Sequence, residues 1–153
     1  MSFTITNEIY DWLSNWQLLK ATQIAQQLPN GKVVLDEPTT NQFLNGAIVS
    51  KILQKMIENN SKTTDKGLPL LTNVEGLKTA MTPSSKLYNW NVIFTSLKKI
   101  GINVEQDVKS LIVAGDADMI NDILRDIHTK SKKTAVAISF LFVRMIYLQN
   151  SRI

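Results

Sequence analysis

The stretch NWNVIFTSLKKIGI, residues 89–102, decides the predicted fold of this chain. Its apolar side chains recur at i, i+3, i+4, i+7 and i+10, which is the spacing of one face of an amphipathic helix. Thr82 or Ser84 can cap the start of this helix, and Pro83 suits its first turn. Gly101 supplies the residue that ends it. The face consists of Trp90, Ile93, Phe94, Leu97 and Ile100.

Apolar faces of the same kind on both sides of this stretch predict further helices. Gly115 and Asp116 form a corner, in which the glycine ends one helix and the aspartate caps the next. Gly46 lies inside another predicted helix, where it costs about 1 kcal/mol relative to alanine, so we expect close packing at that position. The predicted helices cover residues 7–19, 41–58, 104–114, 116–129 and 131–150.

Two segments lack such a face. Residues 28–40 contain the tight-turn pair Asn30-Gly31 and end near a proline, which predicts a loop, with a short hairpin as the alternative. Residues 59–83 are polar and long for a connection in a small domain, and a short helix is expected near residues 70–77. The predicted fold class is therefore all-α, a bundle of five to seven helices with little or no sheet.

Composition excludes some classes of functional site and permits others. The chain has 153 residues, enough for one domain with a substantial core. It has no cysteine, which excludes disulfides, thiolate metal sites and cysteine nucleophiles. Its net charge of +4 permits an acidic partner such as tubulin, nucleic acid or anionic lipid. The first residues lack the pattern of a secretory signal peptide, so the expected location is the cytoplasm.

The chain carries few groups suited to catalysis. His128 is its single histidine, placed in the last turn of a predicted helix, and no nucleophile-elbow pattern accompanies it. The acidic residues from Asp107 to Asp126 lack the glycine and glutamate positions of a helix-loop-helix calcium site. Gly31-Lys32 lacks the upstream glycine of a phosphate-binding loop. We therefore predict a protein that is not an enzyme and that binds no cofactor, no metal and no nucleic acid.

The segment over residues 135–148 is apolar nearly all round. It is too short for a membrane span and contains Arg144, so no span is expected. One interpretation is a core helix that is buried on more than one side. The other is that part of its surface packs against a second chain, in a homodimer or a heterodimer.

Four segments together resemble the calponin-homology domain. A tryptophan-bearing first helix, IYDWL, is followed by FLNGAIVSKIL, then by NWNVIFTSLKKIGI and by DVKSLIVAGDADMINDIL. The resemblance covers residues 7–129 and is carried chiefly by the third and fourth segments. It implies a calponin-homology-like domain over residues 1–130, with an additional C-terminal helix over residues 131–153. Asn45-Gly46 stands where the family usually has Asp-Gly.

The resemblance also implies a function. Strong actin binding in this family comes from tandem domains, so a single copy favours microtubules, as in the ciliary, flagellar and centrosomal branch of the family. We expect a non-enzymatic module that binds microtubules or tubulin at the cytoskeleton of a cilium, flagellum, centrosome or basal body. The alternative is a protein–protein interaction domain, for dimerisation or scaffolding, that does not bind filaments.

Two sets of residues follow from this interpretation. Lysines on solvated faces are expected to meet the acidic partner surface, with the run at 130–133 as the main contact. The candidate binding residues are Lys51, Lys55, Lys86, Lys98, Lys99, Lys109, Lys130, Lys132 and Lys133. The expected structural core residues are Trp12, Trp16, Trp90, Phe94, Leu97, Gly101, Leu111, Ile120 and Leu124.

Overall fold

The structure is a computed structural model, and it describes residues 2–61 and 82–132. These two ranges contain six α-helices, a short 3-10 helix (Ala21–Gln23) and three strands. The helices are α1 (Asn7–Asn15), α2 (Glu37–Leu44), α3 (Ala47–Ser61), α4 (Pro83–Lys99), α5 (Gln106–Val113) and α6 (117–132). The strands are β1 (Thr4–Thr6), β2 (Ile24–Leu28) and β3 (Lys32–Leu35).

The described residues are mainly helical, as predicted, but the three strands form one antiparallel sheet in the order β1-β3-β2, so the fold is not purely all-α. The hairpin named as the alternative for residues 28–40 is present as β2 and β3. A turn at Asn30-Gly31 connects β2 to β3, and Gly31 has a φ of +79°. Val33 and Leu35 are buried and alternate with more exposed residues, which is the period of a strand. Each strand has only three to five residues. Segments this short show no clear period in the sequence.

The predicted helix over residues 41–58 is two helices in the structure. Asp36 caps α2 by accepting a hydrogen bond from a main-chain N–H of the first turn, so α2 begins inside the predicted loop. α2 ends at Asn45-Gly46, where Gly46 has a φ of +85° and the Asn45 side chain caps α3. A β-carbon on Gly46 would lie 2.6 Å from Ile93 Cδ1. The expected close packing is therefore present, but at a corner between helices.

The central helix, α4, has the predicted start and end. Thr82 caps it by accepting a hydrogen bond from the Ser85 N–H. Gly101 follows the helix with a φ of +87°, a left-handed conformation that favours glycine. All five side chains of the predicted apolar face are at most 6% exposed. The periodicity and the end signals of this stretch are therefore confirmed.

Two buried polar side chains tie the middle of α4 to the corner between α2 and α3. The indole N–H of Trp90, which is fully buried, donates to the Leu44 carbonyl at 2.9 Å. The side-chain amide of Asn89, also fully buried, donates to the Asn45 carbonyl at 2.9 Å. These carbonyls belong to the end of α2, where main-chain acceptors need a partner. Trp90 thus anchors α4 both by burial and by a hydrogen bond.

Six of the nine residues predicted for the core are buried. Leu111 is 44% exposed, so its prediction as a core residue is wrong. In α5 it is Ile112 that is fully buried, and adjacent residues of a helix point about 100° apart. Trp16 is half-buried against Trp12, and Gly101 is exposed, so its structural role lies in the backbone. The buried members of the predicted set are Trp12, Trp90, Phe94, Leu97, Ile120 and Leu124.

The predicted corner between α5 and α6 is confirmed. Gly115 has a φ of +94° just after α5. Asp116 then accepts a hydrogen bond from the Met119 N–H at 3.1 Å, which caps α6. α6 continues through residues 131 and 132 without a break, so the two helices predicted on either side of residue 130 are continuous there.

Several predictions fall on residues outside the described ranges. They concern the short helix at residues 70–77, Lys133 and the apolar segment at residues 135–148. Among the helices of the described ranges, none combines the length and the apolar character that crossing a membrane requires.

Candidate filament-docking surface

Two exposed lysines, Lys98 and Lys99, lie in the last turn of α4. The last carbonyl groups of a helix carry partial negative charge, so cations are favoured there by the helix itself. The same helix is held in the core by Trp90. Both lysines therefore extend into solvent from an element whose backbone is already ordered.

Lys109 and Lys130 bring two further ammonium groups to this end of α4. Lys130 lies over Gly101, with its Nζ 3.2 Å from the position that a β-carbon would occupy there. The Nζ of Lys109 lies 5.6 Å from the centroid of the Phe94 ring, within the range of a cation–π interaction. Phe94 precedes Lys98 by one turn of the helix. We call the four residues Lys98, Lys99, Lys109 and Lys130 the α4 lysine cluster.

Acidic residues lower the net charge around the α4 lysine cluster. Glu105, the N-cap of α5, precedes Lys109 by four residues, and Asp126 precedes Lys130 by one turn of α6. Residues four apart share a helix face, so carboxylates lie beside two of the four lysines. Attraction to an acidic partner at this site depends on the directions in which the ammonium groups project. Salt weakens this attraction, because charges further apart than the Debye length, about 8 Å at physiological ionic strength, are largely screened.

The two described lysines of the run at 130–133, which the sequence predicts as the main contact, point in different directions. Lys130 reaches Gly101 at the end of α4. Lys132 instead pairs with Glu8 of α1, with 2.7 Å between its Nζ and Glu8 Oε1. The reason is helix geometry, because residues two apart on a helix point about 200° apart. Lys133 lies outside the described residues.

The remaining lysine candidates lie on other surfaces. On α3, Lys51 is exposed and Lys55 is half-buried. Lys86 is half-buried in the first turn of α4. It precedes Lys98 by twelve residues, which is about 18 Å along a helix. Four of the nine predicted binding residues therefore lie in the last turn of α4 or reach the C-terminal half of α4 and Gly101.

His128 lies in the joint between α1 and α6, one turn before residue 132, so it is not in the last turn of its helix as predicted. The His128 side chain is 11% exposed, and its ring stacks on Trp12 with 4.5 Å between centroids. Its Nδ1 is 3.9 Å from Glu8 Oε1. Burial lowers the pKa of His128, the charge of Lys132 lowers it further, and the charge of Glu8 opposes both.

The same joint holds two further polar groups. The hydrogen bond and the charge of Lys132 lower the pKa of Glu8. The indole N–H of Trp12 is buried and has no hydrogen-bond partner among the described residues. His128 is thus part of a packed joint between helices. Within residues 2–61 and 82–132, no three His, Asp or Glu side chains are grouped so that they could hold a metal ion.

A polar cleft of about 520 Å³ between β1 and α6 has no counterpart in the sequence predictions. The edge of β1 forms one wall, and residues 117–125 of α6 form the other. Its charged side chains are Lys32, Asp118, Asp122 and Arg125, of which Arg125 pairs with Asp122. Motif reasoning could not find it, because its walls come from three separate parts of the chain.

Comparison with known proteins yields no assignment, because no family model, no curated protein sequence and no solved structure matches this chain. The resemblance of residues 7–129 to the calponin-homology domain therefore stays a hypothesis based on motif residues. Those residues have clear physical roles in this fold, with Trp90 as the core anchor and Gly101 as the end of α4.

Proposed function

We propose that this chain is a non-enzymatic binding module of the calponin-homology type, which docks on microtubules through the α4 lysine cluster. The observation that carries the proposal is that α4, α5 and α6 bring four lysines to one end of α4. Complementary charge steers association and sets the orientation of two surfaces. The setting in a cilium, flagellum, centrosome or basal body is part of the same proposal and rests on the motif resemblance.

The anchoring of α4 favours binding at this place. Each exposed ion pair contributes only about 0–1 kcal/mol, so a single lysine has little effect on affinity. Several lysines on already folded elements avoid the cost of ordering a flexible segment, which otherwise reduces affinity. The cluster meets this condition, since Lys98 and Lys99 belong to a helix that Trp90 fixes in the core.

Co-pelleting with taxol-stabilised microtubules tests the proposal. The wild-type chain is expected to pellet at low salt and to be released as salt rises. The double variant Lys98→Glu with Lys99→Glu is expected to bind about tenfold more weakly, because it reverses two charges of the cluster. The double variant Lys20→Glu with Lys51→Glu is the matched control, since both lysines are exposed and the change in net charge is the same.

The control variant is expected to stay within about twofold of the wild type, because its lysines lie outside the cluster. Absence of wild-type pelleting at low salt would overturn the proposed function. An equal loss in both double variants would show that only total charge matters, which would contradict the assignment of the cluster.

A second candidate function, a protein-interaction domain that does not bind filaments, is favoured by a different surface. Leu87 and Tyr88 are adjacent on the first half of α4 and are 49% and 46% exposed. Exposed apolar side chains next to each other are typical of contact with another protein. Light scattering over a range of concentrations tests its dimer form. A dimer that Leu87→Asp converts to a monomer supports it, and a monomer at every concentration argues against it.

A further inference from the structure

The cleft between β1 and α6 exposes main-chain groups of a strand. The Phe3 carbonyl accepts a hydrogen bond from the Leu35 N–H of β3, and the Asn7 N–H donates to the Gly31 carbonyl in the turn just before β3. Along an antiparallel strand, the main-chain groups of successive residues point to opposite sides. Thr4 and Thr6 therefore turn theirs away from β3, and both residues line the cleft.

α6 supplies hydrogen-bond partners for only some of the main-chain groups along this edge of β1. The side-chain amide of Asn121 donates to the Thr4 carbonyl at 3.0 Å and to the Ala117 carbonyl at 3.1 Å. By the same alternation, the main-chain N–H groups of Thr4 and Thr6 point to the side away from β3, on which the cleft lies. An open strand edge beside a helix is a surface to which an extended peptide can add as a further strand. The volume of about 520 Å³ also lies within the range of ligand-binding pockets.

The N-terminal segment and α6 run in the same direction. At the start of the segment, Thr4 contacts Asn121. In the first turn of α1, Glu8 contacts Lys132, which is three turns further along α6 than Asn121. Position along β1 therefore corresponds to position along α6.

This direction orders the charges along the cleft. Asp118, in the first turn of α6, lies toward the start of β1, whereas Arg125 lies toward its end. Lys32 is the ladder partner of Thr6, so it shares that end. Asp122 pairs with Arg125 and offsets part of its charge. We call the end with Lys32 and Arg125 the basic end of the cleft.

We propose that the cleft binds an extended peptide of a partner protein, with a carboxylate of the peptide at the basic end. Peptide carbonyls accept hydrogen bonds from the N–H groups of Thr4 and Thr6. The carboxylate accepts charge-assisted hydrogen bonds from Lys32 and Arg125, and Asp118 at the other end disfavours the reversed orientation. The cleft shares no residue with the α4 lysine cluster, so this site is independent of microtubule binding.

The probe is a peptide that is selected for binding to the full chain from a display library of heptapeptides with free C-termini. The best peptide is then titrated by NMR and by fluorescence anisotropy. We expect the largest amide shifts at Thr4, Thr6 and Asn121. Lys32→Glu is expected to weaken binding about tenfold, since it reverses a charge-assisted contact. Lys51→Glu, an equal charge change on exposed α3, is expected to stay within about twofold because it lies outside the cleft.

Three outcomes would overturn the proposal. The first is a selected peptide that binds Lys32→Glu and the second charge variant, Arg125→Glu, as tightly as it binds the wild type. The second is a set of amide shifts confined to residues away from the cleft. The third is a shift of the Thr4 and Thr6 amides with protein concentration alone, which would make a second copy of the chain the occupant.

Discussion

Two joints between helices hold this molecule together by different means. α4 joins the corner of α2 and α3 through Trp90 and Asn89, which are uncharged and fully buried. α1 joins α6 through Glu8, His128 and Lys132, and the side chains of Glu8 and Lys132 are 66% and 59% exposed. Burial stabilises the first joint whatever the pH, whereas salt and acid weaken the ionic contacts of the second.

The two buried tryptophans show the same difference. The indole N–H of Trp90 donates to the Leu44 carbonyl, whereas that of Trp12, in the joint between α1 and α6, has no partner among the described residues. An unsatisfied buried donor costs about 1–3 kcal/mol. Among the described residues, the indole of the α4 joint is hydrogen-bonded and that of the α1–α6 joint is not.

Removing the anchor of the α4 joint is expected to have the largest effect. Trp90→Ala should lower the free energy of unfolding by about 3–5 kcal/mol, because a fully buried ring is replaced by a cavity. Urea denaturation measures the loss. Leu87→Ala is the control on the same helix, and since Leu87 is 49% exposed it should cost less than about 1 kcal/mol.

If Trp90→Ala leaves no folded protein, Trp90→Phe provides the measurement. It keeps an aromatic ring but leaves the Leu44 carbonyl without its donor, which should cost about 1–3 kcal/mol. Similar losses at positions 87 and 90 would contradict the role of Trp90 as an anchor.

A smaller effect is expected where the corner touches α4. Gly46→Ala places a β-carbon 2.6 Å from Ile93 Cδ1 and also forces alanine into a φ of +85°. We expect a loss of about 2–5 kcal/mol, the sum of backbone strain and overpacking. Gly31→Ala has a similar φ of +79° with nothing within 4 Å of the new carbon, so it should cost only about 1–2 kcal/mol.

The difference in unfolding free energy between Gly46→Ala and Gly31→Ala measures the effect of the contact between residue 46 and Ile93 of α4. Urea denaturation of both chains, at one pH and one salt concentration, measures it. Equal losses would mean that Ile93 gives way freely, and the close packing inferred at this corner would be wrong.

The smallest effect is expected from acidifying the α1–α6 joint. The pKa of His128 is lowered in the folded chain, so between this value and about 6.5 the unfolded chain binds more protons. Stability is therefore complete above about pH 6.5 and falls as the pH drops below it. Urea midpoints between pH 7.5 and pH 5 should decrease in the wild type and decrease less in His128→Phe, which keeps a ring on Trp12.

A second variant tests how Glu8 affects the protonation of His128. Glu8→Gln removes the carboxylate that favours protonated His128, so its stability should fall more steeply with acid than that of the wild type. A slope in His128→Phe that equals the wild-type slope would show that His128 does not cause the acid sensitivity.

The helices were predicted well where the signals are local. Thr82 as the cap of α4 and the corner at Gly115 and Asp116 depend on contacts within three residues, so the sequence alone identifies them. The break at Asn45-Gly46 was missed, because an apolar period continues across it. The hairpin of β2 and β3 was named as the alternative for residues 28–40, because the Asn30-Gly31 turn signal is local. β1 was missed because it pairs with β3, about thirty residues away, and pairing over such a distance leaves no local pattern.

The candidate site also has features that the sequence predicts and features that depend on tertiary packing. Exposure of Lys98 and Lys99 follows from their position beside the apolar face of α4. Their grouping with Lys130, and the separation of Lys130 from Lys132, depend on how α6 packs against α4 and α1. The cleft at β1 also depends on packing, since Thr4 and Asn121 meet across 117 positions of the chain.

The sequence by itself determined the buried face of α4, its ends and the corner that follows α5. Caps, glycine conformations and helical periods act over a few residues, so they can be read without a fold. The tertiary structure alone decided which lysines share a surface, and it alone created the polar cleft between β1 and α6. Both depend on contacts between residues far apart in the chain, and their geometry exists only once the core has packed.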